Sequence, residues 1–202
     1  MVDTITLPDT DANMSLINSL LDNGWAGKWK QTRGNIIIET TSGDRSLKHI
    51  IRKRPLEYYE IQRLIICLAI QMEQLVKINK SYLFFDLEDI DVIDENWYII
   101  TSFDEESDKI ADVVPDTNSV EFVKPVRLIG EYMAPELKTF FADEGGELPF
   151  ITNVSCVYYS VATLIIDLLK ITDEEAVRGS PLYFFLKRCL EKEPDNRFFL
   201  FV

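Results

Sequence analysis

Apolar residues along this chain recur at two periods, a helical one over long stretches and a strand-like one over short runs. Glu57 to Ile78 carries Ile61, Leu64, Ile65, Leu68, Met72 and Leu75 at spacings of three and four, which predicts a long amphipathic helix. Ser155 to Leu169 is apolar on nearly all sides and predicts a buried helix, and Leu182 to Glu191 predicts another, ending before Pro194. Met14, Leu16, Ile17, Leu20 and Leu21 predict a shorter helix, with Asn13 or Asp11 as N-cap and Asn23-Gly24 as its stop. Ser46 to Ile51 reads as a short helix stopped before Pro55, and Tyr132 to Phe141 contains one more.

Short runs rich in β-branched and aromatic residues predict strands at Ile36–Glu39, Tyr82–Phe85, Asp91–Ile93 and Trp97–Ile100, the last two joined by the turn Asp94-Glu95-Asn96. Residues 1–11 read as a loose arm, and 102–130, with Pro115, Pro125 and many acids, as an extended loop. Gly145-Gly146 is a break. Trp25 and Trp29 are packing residues, and His49 is a solvated helix residue. The pattern is α+β, mostly helical.

Composition narrows the classes. A chain of 202 residues with 47% apolar and 27% charged residues is long enough for one domain with its own core. Its net charge of −13 disfavours nucleic acid and anionic membrane surfaces as partners. Cys67, Cys156 and Cys189 are odd in number and lie in apolar stretches, the usage of buried thiols in a reduced compartment. With one histidine and no paired cysteine spacing, a zinc site is not expected. No apolar run reaches the length of a membrane span, and Met1 to Asp11 is polar. A soluble, intracellular protein is expected.

Three motifs then stand in a telling order. Glu131-Tyr132-Met133-Ala134-Pro135-Glu136 resembles the segment that closes the activation loop of eukaryotic protein kinases. Upstream, Phe84-Phe85-Asp86-Leu87-Glu88-Asp89-Ile90-Asp91 is similar to the family's His-Arg-Asp-Leu-Lys-x-x-Asn catalytic loop. Downstream, Leu186 to Arg197 resembles the end of the kinase large lobe. The resemblance covers about residues 35–197. It implies a kinase-like C-terminal lobe over 35–202, with residues 1–34 as an N-terminal arm and helix, a remnant at most of the small lobe. The strand at Ile36–Glu39 would lead into the hinge, with Thr40 to Asp44 as the hinge itself.

Carried over residue by residue, the resemblance places Asp86 at the catalytic base and Asp91 at a metal-binding asparagine. Glu136 and Arg197 take the family's structural ion pair. It also exposes losses. Phe84 and Phe85 replace the histidine and arginine, leaving Asp86 without its usual cation. Glu88 inverts the charge of a lysine that supports the transferring phosphate. Thr101-Ser102-Phe103-Asp104 looks like the Asp-Phe-Gly element with Ser102 in the aspartate's place and Asp104 in the glycine's. No Gly-x-Gly-x-x-Gly occurs, and Lys28 and Lys30 are the only lysines before the hinge-like strand. Val157 sits where the family anchors its central helix with an aspartate.

The resemblance therefore implies a pseudokinase, a catalytically inactive protein with no cofactor. It would act by binding a protein, either a cellular kinase that it mimics or inhibits or a second copy of itself. The alternative is a divergent active serine/threonine kinase with Asp86 as base and Asp91 and Asp104 holding metal; only that reading needs ATP and Mg²⁺. Richness in Ile, Asn, Lys and Asp points to an AT-rich genome, such as that of a large DNA virus or an amoebal parasite.

Overall fold

The computed structural model describes residues 3–40, 46–94, 97–101, 109–123, 130–142 and 147–201. Contacts group the chain into two units, one of residues 1–78 with 87–107, the other of 79–86 with 108–202. The expected hinge turn at 41–44 and the break at Gly145-Gly146 lie outside the described residues.

In the first unit, Thr4-Ile5-Thr6-Leu7 alternates polar and apolar, the period of a strand with one buried face. It forms β1 (Asp3–Pro8), followed later by β2 (Trp29–Thr32) and β3 (Asn35–Thr40). β3 is central and antiparallel to both, with Ile5 opposite Ile38 and Leu7 opposite Ile36. Thr32 pairs with Asn35, so Arg33-Gly34 is a two-residue turn, and Gly34 takes the positive φ of 87° that such turns need. The expected loose arm over residues 1–11 is thus corrected: its alternating residues are held as a sheet edge. The sheet includes residues on both sides of the 34/35 division that the sequence suggested.

α1 (Asp11–Asp22) is capped by Thr10, whose Oγ1 accepts from the Asn13 amide at 3.2 Å, in place of the expected Asp11 or Asn13 cap. Asn23 and Gly24 end the helix as expected. After α2 (Leu47–Lys53) comes α3 (Tyr58–Lys77), whose predicted apolar face is buried throughout. Glu57 and Glu60 form a capping box at its start. Glu60 is 1% exposed, and its two oxygens accept from Arg54 at 2.6 Å each. Gln74 on α3 bonds Ser15 and Ser19 on α1.

β4 (Lys80–Tyr82) belongs to the second unit; β5 (Ile90–Ile93) and β6 (Trp97–Ile100) form an antiparallel pair in the first. Gln71 pins that pair to α3. Its amide donates to the Tyr98 carbonyl at 3.1 Å, and its oxygen accepts from the Ile100 amide at 2.7 Å. Trp25 is 2% exposed, and its indole N–H donates to Asp94 at 2.9 Å.

In the second unit β4 pairs with β7 (Ile110–Asp112), and β8 (Ser119–Phe122) pairs with β9 (Phe150–Asn153). β7 and β8 correct the extended loop expected over 102–130. Each is only three or four residues long, and Pro115 and the surrounding acids mask the pattern. α4 (Pro135–Ala142), α5 (Cys156–Leu169) and α6 (Pro181–Cys189) follow the predicted helices closely. Leu83, Phe84, Val120, Phe122, Met133 and Leu137 are buried together. Phe140 stacks on Phe150 at 4.0 Å beside them. Val157, where the resemblance expects an aspartate, is 2% exposed.

Among the described residues helix accounts for 46% and strand for 23%, so helix leads without filling half of the fold. No helix among them is long and apolar enough to cross a membrane.

Candidate functional site

Asp86 is set by the three residues before it. Leu83, Phe84 and Phe85 are all but fully buried. Leu83 donates its amide to the Lys109 carbonyl at 2.8 Å, and Phe85 donates to Ser160 Oγ at 3.3 Å. The Phe84 ring lies so close to Gly130 that any Cβ there would collide with it. The backbone reaches Asp86 along a fixed path.

Lys109 then meets the carboxylate. Its Nζ lies 3.1 Å from Asp86 Oδ2 and 5.4 Å from the centre of the Phe84 ring. The Glu131 amide donates to Oδ1 at 3.1 Å. Both oxygens are therefore engaged, one by a cation and one by the backbone at the start of the 131–136 motif. The sequence left Asp86 without a cation once Phe85 stood in the arginine's place. Lys109 corrects that expectation, supplying the charge from 23 residues further along the chain. No motif marks Lys109. Its only sequence signal is its place just before β7, which pairs Ile110 with Tyr82.

The other expected chemical positions have surroundings of their own. Asp91 belongs to the first unit, on β5 opposite Ile99, with Ser46 bridged to it. Glu88 lies in a short 3-10 turn, and its carboxylate pairs with Lys48 at 2.6 Å. Asp104, expected as the second metal ligand, and Ser102 lie outside the described residues. Among the described residues no group of three or more His, Cys, Asp or Glu is placed to hold a metal ion.

Glu136 and Arg197 are brought together. Arg197 Nη1 and Nη2 meet the two carboxylate oxygens at 2.5 and 2.9 Å, a bidentate pair. The Arg197 side chain is 0% exposed and that of Glu136 19%. Arg197 Nε also donates to the Glu191 carbonyl at 2.8 Å, and its guanidinium lies 5.0 Å from the centre of the Tyr159 ring. α4 is thereby tied to the segment after α6.

Two further groups are structural in character. Tyr132 donates its hydroxyl to Asp167 at 2.7 Å, and burial, then that bond, raise its pKa well above the usual phenol value. All three cysteines are free and buried. Burial pushes Cys67 up to about 11 and Cys156 and Cys189 up to about 12, which keeps them protonated and poor nucleophiles at neutral pH.

With this geometry in place, comparison with known proteins is brief. No protein-family model matches the chain, and no curated protein matches it. A solved structure described as "Titin kinase and its flanking domains" is similar to it, with a TM-score of 0.53 and 18% sequence identity. The alignment covers 98% of this chain and 40% of that one. A likeness at this identity speaks for the fold alone, and the fold is kinase-like.

Proposed function

We propose that this protein is a catalytically inactive kinase-like protein that acts by binding another protein. The observation that carries this reading is the bonding of Asp86. The ion pair with Lys109 and the bond from the Glu131 amide, one to each oxygen, give the carboxylate a structural use as the anchor of the 131–136 segment. Glu88, at the position of a phosphate-supporting lysine, carries the wrong sign for that work, and its partner is Lys48. Ser102 offers a hydroxyl where a carboxylate would hold Mg²⁺. Within residues 3–40 the described sheet has three strands, and no glycine-rich phosphate loop occurs in the sequence.

The partner in this reading is a protein, a cellular kinase or a second copy of the chain; on a partner other than a second copy, the net charge of −13 favours a basic surface. The direct test is a thermal-unfolding titration with ATP and Mg²⁺. A nucleotide at one hundred times its Kd stabilises a protein by about 2.7 kcal/mol. The expected result is no shift at millimolar nucleotide. A saturable upward shift that needs Mg²⁺ would overturn the reading.

A further inference from the structure

A cleft of about 330 Å³ opens in the second unit between β9 and the turn at Pro194-Asp195. That size is at the lower end of small-ligand sites, roughly 300–1,000 Å³, and suits a single side chain. Two acids line it, Glu136 and Asp195, and no lysine or arginine does among the described residues. Glu136 gives two of its lone-pair sites to Arg197; a carboxylate has about four, and the side chain is still 19% exposed. Asp195 is exposed and held in place by the Asn153 amide at 2.9 Å. Phe150 and Ile151 supply an apolar wall, and Ile151 is 60% exposed.

One wall residue has an unmet need. Thr152 is 6% exposed, and its Oγ1 has no hydrogen-bond partner among the described residues. Buried hydroxyls are nearly always bonded, so an orphan beside an open cleft calls for a partner that enters it. Two acids in the lining, an apolar wall and an unpaired hydroxyl match a long basic side chain. Its alkyl stem lies along the wall and its N–H groups meet the oxygens.

We propose that this cleft binds an arginine or lysine side chain presented by a protein partner, with Asp195 and Glu136 as counter-charges and Thr152 as an added hydrogen-bond site. The inference rests on the protein-binding reading above and names the chemistry of the contact. Arginine is the preferred occupant, because its planar fork can bond several oxygens at once.

The test is an NMR titration of the full chain with the tripeptide Ac-Gly-Arg-Gly-NH₂, using Ac-Gly-citrulline-Gly-NH₂ as its uncharged counterpart. Amide shifts should concentrate at Ser119, Ile151 to Asn153 and Asp195, and the citrulline peptide should bind at least tenfold more weakly. Asp195→Lys should weaken the arginine peptide at least tenfold, and Asp195→Asn and Thr152→Val about threefold each. Glu73→Lys on the exposed face of α3 changes net charge as much as Asp195→Lys does and should change binding less than twofold. Equal weakening by Glu73→Lys and Asp195→Lys, or shifts spread over the acidic surface, would show charge attraction without a site and overturn the proposal. Phosphate transfer by a chain that still binds the peptide here breaks the inactive reading and leaves the cleft standing. No binding by a chain that transfers no phosphate does the reverse.

Discussion

Two carboxylates of the second unit, Glu136 and Asp86, occupy positions that the same resemblance assigns, and their surroundings differ. Glu136 meets Arg197 through two parallel bonds, with the guanidinium fully buried. Asp86 meets Lys109 through one contact, with both side chains about a fifth to a quarter exposed. The first pair keeps both residues the motifs imply. The second keeps only the acid and takes its cation from elsewhere in the chain. A planar, bidentate pair is hard to replace, because few side chains fit the fork geometry. A point-charge contact is easier to supply from another position. The Glu136 pair is thus held by the partner the motifs imply and Asp86 by a cation they do not, which suits a carboxylate that serves structure.

The largest effect should come from cutting the buried pair. Arg197→Met leaves Glu136 without its cation and the Glu191 carbonyl without its donor. Breaking such a pair costs about 3–5 kcal/mol. Urea denaturation should show the midpoint fall to match, and a loss under 1 kcal/mol would break the contrast with Asp86.

Glu60 of the first unit offers an intermediate case: a buried carboxylate whose partner Arg54 is half exposed. The Arg54 hydrogen bond holds the Glu60 carboxyl below its usual range. A depressed pKa contributes stability above the unfolded-state value, and that contribution disappears as pH falls through the folded-state one. Glu60→Gln should therefore cost about 1–2 kcal/mol at neutral pH, the solvent-facing arginine weakening the pair. The difference from the parent protein should shrink toward zero as the medium is acidified below the carboxylate range. A gap independent of pH would assign the loss to packing.

The smallest effect should belong to Asp86. Asp86→Asn retains an oxygen for the Glu131 amide and loses the charge that faces Lys109, so about 1 kcal/mol is expected. Lys109→Met should cost a similar amount. The double variant should lose less than the sum of the two, because both remove the same contact. Full additivity would mean that Lys109 and Asp86 do not act on each other.

These contrasts also mark what the sequence could reveal. The face of α3 was legible because six apolar residues, Ile61 to Leu75, repeat at helical spacing within a helix of 20 residues. Glu136 and Arg197 were legible through their flanking motifs, since 61 residues separate them and no periodicity links them. Lys109 was not legible, because a replacement cation has no motif. β1 carried its signal in Thr4 to Leu7, but Pro8 and the nearby aspartates weighed toward a loose arm. β8 and β9 were hidden by length, because four residues hold too few alternations to separate a strand from a loop. The helices were read more securely than the strands, because a helix closes its own hydrogen bonds while a strand depends on a distant partner.

The measurement that bears most directly on the account is transfer of radiolabel from the γ-phosphate of ATP, with Mg²⁺, to the protein itself and to a generic basic substrate. It is made on the parent chain and on Asp86→Asn in parallel. The account predicts no labelling above background in either, since the proposed reading makes Asp86 an anchor and puts Ser102 and Glu88 at the positions where a kinase needs a metal ligand and a cation. Labelling by the parent chain that Asp86→Asn abolishes would contradict it.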